Sequence, residues 1–221
     1  MTSYMPIRFP KQSPSVSRGH FHVWRVDLSS APFGSLRDLL SPDETARADR
    51  FRFPEHQDRF VAARGTLRLI LSKYLGDAPQ VLSFRYNDAG KPYIPGFPLH
   101  FNLSHSGSEM LLAVGSQAVG IDLEQVRNDL DVIDLARAHF ALDEIDELLS
   151  LATENRTRRF FEAWVSKEAL AKALGVGITG GLASTKPDWI VRPITVSPGY
   201  AASIAAEGVW TVDLLDWHYH I

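Results

Sequence analysis

RRFFEAWVSKEALAKALG, residues 158–175, decides the reading of this chain. It runs helical for nearly five turns at about 3.6 residues per turn and stops at a glycine, the residue expected just past a helix end. At about 100° per residue, Glu168 and Lys172 share a face with Phe161, Trp164 and Val165. Ala163, Leu170 and Leu174 form a second apolar stripe roughly opposite. A helix that is apolar on two sides is buried on both. Its carboxylate and ammonium therefore stand where a purely structural helix would carry neither.

Nearly 100 residues upstream the same order of elements occurs. VWRVDL (23–28), SPDETARADRF (41–51) and FVAARGTLRLILSKYLG (60–76) precede VGIDLE (119–124), ALDEIDELLSL (141–151) and FFEAWVSKEALAKALG (160–175). Each series is a strand containing Asp-Leu, an Asp-Glu helix start, and a long helix ending Leu-Gly. The pattern predicts an α/β fold of α+β type, made of two pseudo-symmetric α/β halves with a site in the cleft between them. Further extended segments are expected at 81–86, 99–104, 110–115, 189–196, 200–206 and 208–217. The expected organisation is a loose tail over 1–19, a first half over 20–112 and a second over 113–221.

Hydrophobic residues at 45% and charged residues at 22% are ordinary globular values. Without cysteine there is neither a disulfide framework nor a thiolate metal site. No apolar run is long enough to span a membrane, and the opening MTSYMPIRFPKQSPSVSRG lacks the apolar core of a signal peptide, so a cytoplasmic protein is expected. The net charge of −3 divides unevenly: residues 1–110 carry 14 Lys and Arg against 10 Asp and Glu, and residues 111–221 carry 9 against 16. That balance does not suggest nucleic-acid binding, which wants a basic domain.

In VGIDLE, alternation sets Asp122 and Glu124 on one face and Ile121 and Leu123 on the other. Two neighbouring carboxylates can be a solvated strand face. With Glu168 they make an all-oxygen set suited to a hard cation, which favours Mg²⁺ or Mn²⁺ over zinc. Lys172, one turn beyond Glu168, can address a phosphate oxygen that such a cation also binds. Alone, the two would read as an i,i+4 surface pair; the apolar neighbours on that face argue against it.

FNLSHSG (101–107) reads as a short strand breaking into a Ser-His-Ser-Gly turn whose N–H groups, hydroxyls and imidazole can donate to an anion. Nucleophilic catalysis by this Ser-His pair is disfavoured, because adjacent strand residues point apart and no G-x-S-x-G surrounds the serine. Arg47, Arg50, Arg52, Arg59, Arg64 and Arg68 line two helical segments; Arg64 lies in the small-residue stretch AARG, where a ligand could approach. AGKPYI (89–94) reads as a turn entering a strand. GVGITG (175–180) matches G-x-G-x-x-G but follows a helix, so the dinucleotide reading fails its context. His20/His22 and His218/His220 are H-x-H pairs that, without further ligands, read as strand or tail residues.

Taken together, FNLSHSG, VGIDLE with Arg127 after it, and WVSKEALAKALG resemble the phosphopantetheinyl transferase family, in its larger two-lobed class of the surfactin-synthetase-activating type. AGKP and RADRFRF…FVAARGTLRLILSKYLG support the match, which covers roughly residues 40–180. The resemblance implies two pseudo-symmetric halves with coenzyme A between them, and transfer of 4′-phosphopantetheine to a serine of an apo acyl or peptidyl carrier protein, releasing adenosine 3′,5′-bisphosphate. It further implies that Asp122, Glu124 and Glu168 hold Mg²⁺ (or Mn²⁺) on the coenzyme A pyrophosphate. Lys172 and His105 would contact the phosphates, with Ser104 alongside. Arg64 and Arg47 would face the 3′-phosphate, Lys91 and Pro92 would border the adenine, and Glu144 matches a position often acidic in the family. Glu168 would serve as base for the attacking serine, with Asp122 and Lys172 completing the catalytic set. Where relatives often carry a pair of basic residues after SPD, this chain has Glu44 first, leaving Arg47. A monomer is the family-level expectation. A Mg²⁺-dependent pyrophosphohydrolase and a non-catalytic coenzyme A-binding module are the competing readings.

Overall fold

The computed structural model of the chain describes residues 14–176 and 187–219. The first half builds β1 (His20–Asp27), α1 (Phe33–Arg37), α2 (Pro42–Ala48) and the long α3 (Pro54–Leu75). A short antiparallel pair, β2 (Arg85–Tyr86) and β3 (Pro92–Tyr93), precedes β4 (His100–Ser106) and β5 (Glu109–Gly115). The second half runs through β6 (Val119–Gln125), α4 (Val132–His139), α5 (Leu142–Ser150) and α6 (Thr153–Leu174). It ends with β7 (Trp189–Pro193), β8 (Tyr200–Glu207) and β9 (Thr211–Trp217). The expected α/β class is therefore observed.

The two long helices, α3 and α6, are each 22 residues and end at Gly76 and Gly175 with φ of 75° and 72°. That left-handed turn is open to glycine at no steric cost. The likeness continues inside. Arg68 on α3 pairs with Glu44, and Lys167 on α6 pairs with Glu144; each glutamate also accepts the backbone N–H that opens its own helix, from Ser41 and Ala141 respectively. The Asp-Glu helix starts seen in the sequence thus carry the same device in both halves. A capping carboxylate reaches back to the chain entry and also neutralises a buried cation on the long helix.

Two sheets stack between these helices. One has the order β4-β5-β1-β9 and the other β6-β8-β7. β1 and β5 are apolar on both faces. Val26, Met110, Leu112 and Val114 pack under α3 with Leu67, Ile70 and Leu71. Phe21, Val23, Leu111 and Ala113 turn the other way, onto Ile121, Leu123, Ala202 and Ile204 of the second sheet. The second sheet's outer face carries α6 through Ala169, Leu170, Ala173 and Ala205. The layers are helix, sheet, sheet, helix, with the larger buried cluster between α3 and the first sheet and a second between the sheets.

Three expectations shift. Residues 79–81 form a 3-10 turn instead of extending, and only Arg85–Tyr86 is strand, because the Arg68 guanidinium holds the carbonyls of Pro79 and Leu82. The last strand starts at Thr211, after a turn at Gly208 with φ of 73°. The halves are also not cut cleanly between 112 and 113: β5 continues to Gly115, and β9 crosses back to lie parallel to β1 in the first sheet. Parts of two sequence motifs, GVGITG beyond Val176 and His220 of the second H-x-H pair, lie outside the described residues, as do positions 1–13 of the tail. Among the described residues no helix is long and apolar enough to cross a membrane.

Candidate active site

The site forms where the edge strands of the two sheets meet. β4 and β6 are joined by side chains instead of a backbone ladder. Asn102 Oδ1 accepts the Ile121 N–H at 2.8 Å, and Ser106 Oγ accepts the Gln125 N–H at 3.0 Å. The hydroxyls of Ser104 and Ser106 donate to Asp122 and Glu124, both at 2.8 Å. Residues 102, 104 and 106 point one way along β4, so one strand face supplies the whole seam. An edge whose N–H groups are met by Asn and Ser is closed to further strands.

Gly120 governs how closely α6 can lie on β6. A Cβ at that position would overlap the Ala169 carbonyl and the Ala173 backbone. With only hydrogen there, the last turns of α6 settle onto the strand and bring Glu168 and Lys172 over Asp122. The Lys172 ammonium donates to Asp122 Oδ1 at 2.6 Å and to Ser104 Oγ at 3.0 Å. Asp122 Oδ2 is buried and has no partner among the described residues.

Three carboxylates share this space with one ammonium. Burial pushes the Glu168 carboxyl up to about 7, the Asp122 charge adds to the rise, Lys172 opposes it and Glu124 adds a little more. Burial also raises Glu124, against the hydrogen bond from Ser106. Burial and the Asp122 charge raise both glutamates, and one Asp122 oxygen is without a partner among the described residues; an all-oxygen set of this kind is the donor chemistry that hard divalent cations take.

His105 lies on the opposite, exposed side of β4 from Ser104. The protein crowding its ring, then the Lys172 and Arg59 charges, push its pKa below the usual value. The expected turn at 104–107 is strand through Ser106, and the chain reverses only at Gly107, with φ of 57°.

The remaining predicted residues divide. Lys91 Nζ, set just before Pro92 of β3, donates to the carbonyls of Val119 and Lys172 at 2.8 and 2.7 Å, and so ties the hairpin to β6 and α6. Burial, then Lys172, lowers its pKa to about 8. Arg64 pairs with Glu44 through Nε, donates to the Tyr86 hydroxyl at 2.6 Å, and stacks 4.2 Å from the Phe84 ring centroid. Arg47 is exposed at the end of α2, over Phe60. Arg127 is exposed after β6, and its charge acts weakly on Glu124. Among the described residues, no contact joins Arg64 or Arg47 to the carboxylate cluster. Glu44, which stands where the resemblance leads one to expect a base, is the buried anchor of Arg64 and Arg68. Asn102, Ser106 and Gly120 escaped the sequence reading; the every-second-residue polarity of FNLSHS was the available signal.

A model of the 4′-phosphopantetheinyl transferase superfamily matches residues 118–209, from just before β6 to the turn before β9. The 4′-phosphopantetheinyl transferase HetI of Nostoc sp. is 39% identical over 220 residues, covering 90% of this chain and 92% of its own. The chain belongs to the 4′-phosphopantetheinyl transferase superfamily. A putative 4′-phosphopantetheinyl transferase of Synechocystis sp. is 38% identical over 75% of this chain and 69% of its own. The 4′-phosphopantetheinyl transferase Sfp of Bacillus subtilis is 27% identical over 81% and 87%. As a phosphopantetheinyl transferase the protein is an enzyme, and the seam of β4, β6 and α6 is its candidate active site.

Proposed function

We propose that this phosphopantetheinyl transferase moves the 4′-phosphopantetheine arm of coenzyme A onto a serine of an apo acyl or peptidyl carrier protein, with release of adenosine 3′,5′-bisphosphate. The observation that carries this reading is the buried Asp122 Oδ2, which has no partner among the described residues, beside a Glu168 carboxyl that burial, then the Asp122 charge, pushes up to about 7. Asp122, Glu124 and Glu168 would hold Mg²⁺ or Mn²⁺. A bound cation of that kind neutralises pyrophosphate charge as the bridging oxygen leaves.

The chain's own groups account for the rest. Lys172, already fixed by Ser104 and Asp122, is set to neutralise a phosphate oxygen, and His105 offers a second contact beyond it. The carrier serine oxygen attacks the pantetheine-bearing phosphorus, and the bond from that phosphorus to the bridging oxygen breaks. The serine proton passes to Glu168, directly or through a water, the role of a positioned carboxylate general base. Arg64, whose Nη1 makes no hydrogen bond among the described residues, and the exposed Arg47 are assigned to the 3′-phosphate. Lys91 and Pro92 border the adenine, with the Lys91 ammonium acting through the backbone it anchors. Glu144 acts structurally, through Lys167.

Incubating the protein with coenzyme A, Mg²⁺ and apo carrier proteins, then weighing the carriers by mass spectrometry, tests the proposal. A phosphopantetheine-sized gain supports it. Coenzyme A consumed without carrier modification would make the enzyme a pyrophosphohydrolase, and no change with several carriers would sink the transfer reading. Glu168→Gln is expected to abolish transfer while leaving the fold intact.

A further inference from the structure

His20 and His22 alternate along β1 with Trp24 and project toward α3, next to β9, the edge of the four-stranded sheet opposite β4. The parallel pairing of β1 with β9 sets His20 beside Thr211 and His22 beside Asp213. One donor atom from each of His20, His22 and Asp213 lies within 4.8 Å of the others. In the sequence these histidines had no third ligand; the crossover of β9 supplies Asp213, 193 residues from His20.

The two imidazoles are held in the way ligating histidines are. His20 Nδ1 lies 2.7 Å from Thr211 Oγ1, and His22 Nδ1 lies 2.8 Å from the Tyr74 hydroxyl, which also accepts the Trp24 indole N–H. An oxygen at each Nδ1 fixes the ring and leaves Nε2 for a metal. His20 Nε2 already faces Asp213 Oδ2 at 3.0 Å, and His22 Nε2 has no hydrogen bond among the described residues. Asp213 is exposed, so water can complete the coordination.

We propose that His20, His22 and Asp213 form a second metal site, separate from the carboxylate cluster, for a borderline first-row cation of the Zn²⁺ class. Two imidazole nitrogens and one carboxylate oxygen, with room for water, suit Zn²⁺ and not Mg²⁺. Its ligands come from the first and last strands of the fold, so the ion clamps β9 onto β1. Because the unfolded chain has no such site, binding adds to folding stability.

The test is calorimetric titration of the full-length protein with Zn²⁺ in excess Mg²⁺, paired with thermal unfolding. One saturable Zn²⁺ per chain is expected, with a rise in Tm. Asp213→Asn, at an exposed position that leaves the core untouched, is expected to weaken binding at least about tenfold and to remove the Tm rise. His22→Ala is expected to do the same, and Glu168→Gln to leave Zn²⁺ binding unchanged. The absence of saturable binding overturns the proposal. So does binding that Asp213→Asn leaves at full strength, or binding that Glu168→Gln removes, which would assign the ion to the carboxylate cluster.

Discussion

The Lys172 ammonium lies 2.6 Å from Asp122 Oδ1 and joins the last turn of α6 to the middle of β6. It is the only cation paired with the carboxylate cluster among the described residues, while Asp122 is almost wholly buried. On α3 the corresponding lysine, Lys73, three residues before its own terminal glycine, lies over the Trp217 ring instead. One helix position thus serves packing in one half and the site in the other.

Replacing that lysine leaves a buried carboxylate without its partner. Lys172→Met is expected to cost about 1–3 kcal/mol in urea denaturation, the penalty of orphaning a buried polar group. Added Mg²⁺ should recover part of the loss, and carrier modification should slow on the order of a hundredfold. A variant of full stability and full rate would remove Lys172 from the site.

Gly120→Ala tests the close approach of helix and strand. The new methyl meets backbone on α6, which cannot rotate away. A loss of about 1–3 kcal/mol or more is expected from overpacking, together with near-complete loss of transfer as Glu168 and Lys172 move off Asp122. Wild-type denaturation midpoints would show that the helix has slack.

Asn102→Ala removes the acceptor for the buried Ile121 N–H at the seam. It is expected to destabilise by about 1–3 kcal/mol, and hydrogen exchange at Ile121 should accelerate more than at the β6 amides that bond to β8. Uniform acceleration would argue for global unfolding instead.

Two buried glutamates give opposite pH dependences. Glu168 has its pKa raised from 4.5 to about 7, so the folded state holds a proton that the unfolded state releases. Its contribution is present below pH 4.5 and is lost as pH rises toward 7. For Glu44, burial raises the pKa, but the Arg68 hydrogen bond and the Arg64 charge outweigh it and leave the value below 4.5. Its contribution is present above that pH and lost on acidification. In metal-free protein, Glu168→Gln should flatten the stability decline between about pH 5 and 7. Glu44→Ala should flatten the acid limb and cost about 3–5 kcal/mol at neutrality by stranding Arg68. An unchanged profile in either variant would refute that assignment.

Much of this was legible in local pattern. The two long helices, read over 60–76 and 158–175, with their glycine stops and the strand VGIDLE follow from periodicity and turn chemistry, which act over a few residues; the structure starts them earlier, at Pro54 and Thr153. The cluster of Asp122, Glu124, Glu168 and Lys172 was readable because charges on an apolar helix face violate the rule that a buried face is apolar. Glu44 was not readable. In the sequence it is an acidic residue in a basic segment; only the packing of α2 on α3 makes it the counter-ion of two arginines.

The sequence by itself determined which elements form and which faces they bury, because propensity, capping and alternation are local. Only the tertiary structure decided that β4 and β6 meet edge to edge through side chains, and that Gly120 lets α6 settle against β6. It also decided that β9 returns to β1 and brings Asp213 beside His22. Those outcomes depend on contacts between residues far apart in the chain. Their partners are fixed by the fit of surfaces and the need to satisfy every buried polar group, which no local window contains.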